Sequence, residues 1–376
     1  MIPVNLSLFE HSAHSPAFLR LNGNTHLERA STVLTDYCVP ANPYFPTPEI
    51  FTLLKERLET ILKYYPSDNE SIAQDLAQIL DFDPSTLIVA NGSTELITWI
   101  HELMIPRGLV TDVPTFGRWT DLPLLAGKQL HTFPRLPEKN FQIDVEELIS
   151  FVRRSGSAVL VLCNPNNPTS QLMSRAQVLH LIDSLKELSL IVIDESFIDF
   201  SARENIPTIG RTAAERENVI LLKSLGKSFG LHGIRAGYAV TNPSLAAKLR
   251  GKLPSWNVNA ITEFLIGILP KYWDVYERSR IAVIEDTDYL FDSLRSLSAL
   301  EVYAPHSNFL YVQLKRGNGT QFRNDLLTRH GFLIRECGNK IGSSSQYFRI
   351  ATRTRAETDQ LVRAIESVTG EHRFPN

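Results

Sequence analysis

Lys227 stands inside the tripeptide Gly226-Lys227-Ser228, directly after the apolar run NVILL. Phosphate-cradling loops of nucleotide-binding proteins also put G-K-S after a strand, so Lys227 has two readings. Such a loop needs G-x-x-x-x-G-K-[ST], and the position of its first glycine is Leu221. The acidic run LIVIDE also precedes the tripeptide, whereas a magnesium-holding acidic strand mostly follows it. No G-x-G-x-x-G follows the first strand signal, so a dinucleotide site is excluded too. What remains is a lysine at the carboxyl end of a buried run. Two other runs end the same way, SAVLVLC before Asn167 and LSLIVID at Asp194. An amide, a carboxylate and an amine at neighbouring strand ends form a ligand site, because open α/β sheets bind ligands there.

Unbroken Val/Ile/Leu runs read as strands buried on both faces. The segments between them, such as SRAQVLHLIDSLKELS, have helical spacing. Strands alternating with helices predict a mostly parallel sheet covered on both sides. Upstream, PEIFTLLKERLETILKYYP predicts an amphipathic helix closed by Pro66. SIAQDLAQIL predicts a second helix, and TLIVANGSTELITWIHELM a strand, a turn and a helix. TDVPTFGRWT, residues 111–120, reads as a loop. After Pro243 long helical segments precede the short strands NFLYVQL and YFRIAT and a last helix, the pattern of a smaller α+β domain. The expected organisation is an N-terminal arm (1–45), a large domain (46–243) and a small C-terminal domain (244–376).

The 376 residues carry a formal net charge of -3 and 43% hydrophobic residues, an ordinary globular composition without a basic surface for nucleic acid or anionic membrane. Three scattered cysteines, Cys38, Cys163 and Cys337, suit a reducing, cytoplasmic setting. The N-terminus lacks a signal-peptide pattern, no apolar run is long enough to span a bilayer, and no metal-ligand spacing is present.

SLGKSFGLHGIRAGY, preceded in order by NPNNPTS and IDESFIDF, resembles the lysine segment and two earlier motifs of the fold-type I pyridoxal 5'-phosphate (PLP) enzymes, aminotransferase class I/II. The similarity runs from about Tyr37 to the C-terminus. It is closest to the histidinol-phosphate aminotransferase and threonine-phosphate decarboxylase branch. LPSWNVNA and the Phe of DESFIDF resemble the decarboxylase side.

The resemblance implies a role for each matching residue. Lys227 would form the Schiff base with the cofactor and shuttle the Cα proton, which needs a lowered pKa. Asp194 would pair with the protonated ring nitrogen, and Asn167, before a cis Pro168, would bind the ring O3'. Gly92, Ser93 and Thr94 would hold the cofactor phosphate at a helix N-terminus, with Ser224 and Arg235. Phe116 would stack on the ring, Trp119 being the second candidate. Arg349 would grip the substrate α-carboxylate as a fork. Arg335 would meet a substrate phosphate, or else form a surface ion pair. Tyr65 would reach the neighbouring subunit's phosphate in a homodimer, or else be a core or interface aromatic. Asn24 and Thr25, with Glu10 and Glu28, would belong to a substrate lid; an unstructured arm is the alternative.

Three positions depart from the family pattern. Phe197 stands in place of a tyrosine, Gly226 in place of a Ser or Thr, and Ser170 in place of a glycine. None removes an essential group. Loss of the tyrosine hydroxyl points to Cα chemistry other than simple transamination. Elimination or cyclisation of an arginine-like amino acid and decarboxylation of a phospho-amino acid both fit. Transamination of the histidinol-phosphate type is the alternative within the class. A non-catalytic PLP-binding regulator is the alternative outside it.

Overall fold

Residues 34–370 are described by the computed structural model. The chain enters through β1 (Thr35–Asp36), then α1 (Pro48–Lys63) and α2 (Asn69–Leu80). Pro48 opens α1 with Glu49 in its first turn and Lys63 in its last, matching the helix dipole. Asp68 caps α2 by accepting from the Ser71 amide. Next come β2 (Leu87–Asn91), α3 (Ser93–Met104), β3 (Gly108–Val113), α4 (Arg118–Leu125) and β4 (Gln129–Pro134). They are followed by α5 (Val145–Ser155), β5 (Val159–Cys163), α6 (Arg175–Ser184), β6 (Leu190–Asp194) and α7 (Gly210–Glu215). β7 (Val219–Ser224), the one-turn α8 (Leu225–Ser228) and β8 (Ala236–Val240) complete this part.

Seven strands form one sheet in the order β2-β8-β7-β6-β5-β3-β4. β8 is antiparallel to both neighbours, and the other pairs are parallel. Every residue of β5 and β6 is buried, which is why these strands read as unbroken apolar runs. Leu160, Leu162, Ile191 and Ile193 feed the core on one face; Val159, Val161, Leu190 and Val192 feed the core on the other. The parallel strands bring Cys163, Asp194 and Leu222 into register, so their carboxyl ends open on one side.

The segment 111–120, read above as a loop, is mostly regular. Thr111, Asp112 and Val113 end β3, and Arg118 starts α4. Of the buried polar residues of β3, Asp112 meets distant groups through Oδ2, which pairs with Arg135 and accepts from Asn166 Nδ2 at 2.8 Å, while Thr111 Oγ1 has no partner.

Beyond α9 (Pro243–Arg250), the 36-residue α10 (Ala260–Arg295) leads to β9 (Leu300–Tyr303), β10 (Phe309–Leu314), α11 (Gly319–His330), β11 (Phe332–Leu333), β12 (Arg335–Glu336), β13 (Tyr347–Ala351) and α12 (Arg355–Thr369). Four of these strands form an antiparallel sheet, β12-β13-β10-β9, with its own core around Leu310, Phe348 and Ile365. β1 pairs with β11. The architecture is the fold-type I one: a large, mostly parallel α/β layer and a small α+β C-terminal domain. No helix among the described residues is long and apolar enough to cross a membrane.

Candidate active site

A cavity of about 700 Å³ opens at the strand ends between the two sheets. Of the residues singled out from sequence, Asn167, Asp194, Ser224 and Lys227 line its floor, Ser93, Thr94 and Arg235 one end, and Phe116, Arg335 and Arg349 the remaining walls. Tyr65 is elsewhere. It is 79% exposed, and its ring lies 4.8 Å from that of Trp256, itself 54% exposed. Asn24, Thr25, Glu10 and Glu28 lie outside the described residues.

Lys227 sits on α8, immediately beyond β7, with Nζ 5.6 Å from the Phe197 ring centroid. Burial pulls its amine down to about 7, Arg349 and Arg235 add to the effect, and Asp194 opposes it. Lys223, four residues earlier, goes the other way. Burial alone would lower it, but its ion pair with Asp199 raises it overall. Of these two lysines only Lys227 is driven toward the free amine near neutral pH, the form that attacks a carbonyl.

Asp194 is pushed up by burial and held down by the Ser196 hydroxyl and amide, by Trp119 and by Lys227. Its Oδ1 accepts from Ser196 Oγ at 2.6 Å and Ser196 N at 3.1 Å, and its Oδ2 accepts from Trp119 Nε1 at 3.4 Å. Trp119 is therefore no ring-stacking residue. It is fully buried among the core residues and reaches the site only through that N–H. Ser196 was not singled out from sequence, although a serine two residues after an aspartate is an Asx-turn signal.

Asn167, preceding a cis Pro168, accepts at Oδ1 from Arg349 Nη1 at 2.8 Å. Arg349 Nη2 donates to the Cys38 carbonyl at 2.6 Å, while its Nε is buried without a partner. Arg349 on β13 and Arg335 on β12 are paired in register. Directly opposed residues share a face of the sheet, so two guanidiniums stand side by side.

At the far end, α3 begins at Ser93 with Gly92 at φ 77°. A Cβ on Gly92 would lie 2.6 Å from Arg235 Nη2, so the close approach of Arg235 requires glycine there. Arg235, itself at φ 55°, donates to Thr94 Oγ1 at 3.4 Å. Hydroxyls, helix amides and a guanidinium converge as an oxyanion cradle.

The departures have local causes. A Cβ on Gly226 would sit 3.1 Å from the Leu231 carbonyl oxygen and 3.2 Å from His232 Cα, so the loop leaves little room for the usual hydroxyl. Ser170 takes φ 62°, and its hydroxyl lies 2.6 Å from Ser307 Oγ and accepts from the His306 amide at 2.9 Å. It thereby ties the two domains together. Phe197 is buried, with its edge on Phe309 at 4.9 Å.

Fold, lysine-bearing strand end and oxyanion cradle define a PLP-dependent transferase scaffold. The model of the aminotransferase class I and II family matches residues 34–365, and the chain belongs to that family of PLP-dependent enzymes. It is 33% identical over 341 residues, 90% of its length, to the CMP-5'-(3-aminopropyl)phosphonate synthase of Streptomyces rubellomurinus, and spans about half (53%) of that protein. It is 30% identical to an L-serine phosphate decarboxylase of Campylobacter jejuni, covering 89% of each chain. The structure of a decarboxylase from Sulfurospirillum multivorans superposes with a TM-score of 0.85 at 27% identity, over 95% of this chain and 93% of the other.

Proposed function

We propose that this chain binds PLP and decarboxylates an L-amino acid whose side chain carries a phosphate or phosphonate. The observation that carries the reading is the Arg335–Arg349 pair. Two cations stand side by side on the cavity wall, and among the described residues neither has a carboxylate within 4.0 Å. A substrate with two anionic groups satisfies both; a guanidinium substrate would be repelled, which disfavours the arginine-like alternative. Relatives named as serine phosphate decarboxylases support the reaction type.

The residues fit the cofactor. Ser93, Thr94, Ser224 and Arg235 supply the donors for its phosphate, and the glycine-only approach at Gly92 shapes that cradle. When bound, PLP supplies an electrophilic aldehyde and an electron-withdrawing ring. Lys227 would hold it covalently and would move the proton at the substrate Cα, a role its lowered pKa permits. Asp194, oriented by Ser196 and Trp119, keeps the ring nitrogen protonated. Asn167 would bind the ring oxygen, and Phe116, on the cavity wall, would cover the ring. Arg349 holds the α-carboxylate with Asn167 at its side, and Arg335 takes the second anion.

We further propose a homodimer, in which exposed Tyr65 and Trp256 pack against a second copy and Tyr65 reaches its cofactor phosphate. Sedimentation at micromolar concentration reads the mass directly.

The function is tested with O-phospho-L-serine, with and without 2-oxoglutarate. Release of CO₂ and ethanolamine phosphate, without glutamate, is expected. Stoichiometric glutamate would establish transamination instead. A PLP-loaded protein that turns over none of these compounds would overturn the proposal and favour a binding protein.

A further inference from the structure

Four cations of the small domain line the cavity: Arg323, Arg335, Lys340 and Arg349. The only carboxylate on that wall among the described residues, Glu336, lies 3.3 Å from Arg323 and is already paired with it. Arg335 has an amide partner, Asn339 Oδ1 at 2.9 Å. Lys340 has a carbonyl partner: its Nζ donates to the Thr115 oxygen at 2.8 Å, across the domain boundary and beside Phe116. Three cations therefore share one wall without a counter-charge. A cavity wall that gathers cations without a counter-charge is built for an anion, because their partial desolvation and mutual repulsion are costly until one arrives. An α-carboxylate contributes one negative charge and a phosphate or phosphonate dianion two, which together match the three cations.

We propose that Lys340 completes an anion subsite with Arg335 and selects amino acids whose side chain ends in a dianion over those ending in a carboxylate or a neutral group. This rests on the function proposed above and adds the residue that sets the charge requirement. Arg335 and Arg349 alone balance two single charges, as in an amino dicarboxylate. The third cation removes that balance and restores it only for a dianion.

The groups facing Lys340 are Cys337, Arg349, Arg335 and Cys163. Burial lowers its amine to about 8, with Cys337 opposing, the two arginines adding and Cys163 opposing. Both thiols are themselves pushed upward by burial. Lys340 is therefore the group of this cluster that changes charge near pH 8. A dianion must then recruit a proton to it as the pH rises further.

The experiment measures kcat and KM of the holoenzyme for O-phospho-L-serine from pH 7 to 9, in wild type, Lys340→Met and Lys340→Arg. Lys340→Met should raise KM on the order of 30-fold or more, the size of effect seen when one partner of a buried charge contact is removed, with kcat little changed. Wild-type KM should climb above pH 8. Lys340→Arg, which stays charged, should keep KM low and flat over that range. Binding of L-serine should be the same in all three, which also shows that the variants fold. An unchanged KM in Lys340→Met, or a fall in melting temperature and kcat with KM unmoved, would make Lys340 only a tie between domains and overturn this inference alone. A wild type that does not act on O-phospho-L-serine would overturn the proposed function and this inference with it.

Discussion

Holding Lys227 in its pocket should cost the cofactor-free protein stability, and the cost should fade with pH. The amine titrates at 10.5 in the unfolded chain and at about 7 in the native one. Between those values the unfolded state binds the proton and the native state does not, so stability rises with pH across that window. At 1.36 kcal/mol per pKa unit, the penalty is about 5 kcal/mol at pH 6 and about 1.4 kcal/mol at pH 9.5. Lys227→Met removes it. With 376 residues and roughly 2.1 cal/mol/K of unfolding entropy per residue, the variant should melt about 6 °C higher at pH 6 and about 2 °C higher at pH 9.5. Calorimetric melts of the two cofactor-free proteins at pH 6, 7, 8 and 9.5 read this directly. A gap that stays constant or widens with pH would refute the reasoning, because the amine would then not be held neutral.

Three further outcomes follow from single contacts. Trp119→Phe keeps the ring in the core but removes the N–H to Asp194, and should weaken PLP binding by about 1 kcal/mol with little change in melting temperature, read by absorbance titration. Ser170→Ala keeps the left-handed backbone and loses both hydroxyl contacts, whereas Ser170→Gly loses the contacts but relieves the backbone, so Ala should melt lower than Gly by about 1 kcal/mol equivalent. Gly226→Ser should not add a useful phosphate contact; crowding against Leu231 and His232 should weaken PLP, and tighter binding would show that the loop yields.

What could be read in the sequence depended on how local its cause was. β5, β6 and β7 announced themselves because both faces are buried by apolar residues, and Asn167, Asp194 and Lys227 followed from their ends. β3 did not, because Thr111 and Asp112 are buried polar residues, and the partners of Asp112, Arg135 and Asn166, come from later strand ends. α4 carries Pro123 inside it, and its start lies in the segment that reads as a loop. Nothing in the polar loop around Lys340 marks it as a site residue. Its burial arises only where that loop crosses Thr115, 225 residues earlier in the chain. Tyr65 is exposed, and its ring lies against Trp256 rather than at the cavity.

Lys227 and Arg235 stand at the two ends of the reversal that joins β7 to β8, antiparallel neighbours in the sheet. One short excursion thus carries both the amine and the guanidinium, and its span works as a gauge for the length of whatever lies between them. An insertion there would change the spacing of Lys227 and Arg235 while leaving the β7–β8 pairing intact. The Arg335 and Arg349 wall, by contrast, comes from the small-domain strands β12 and β13, a separate part of the chain that reaches the same cavity.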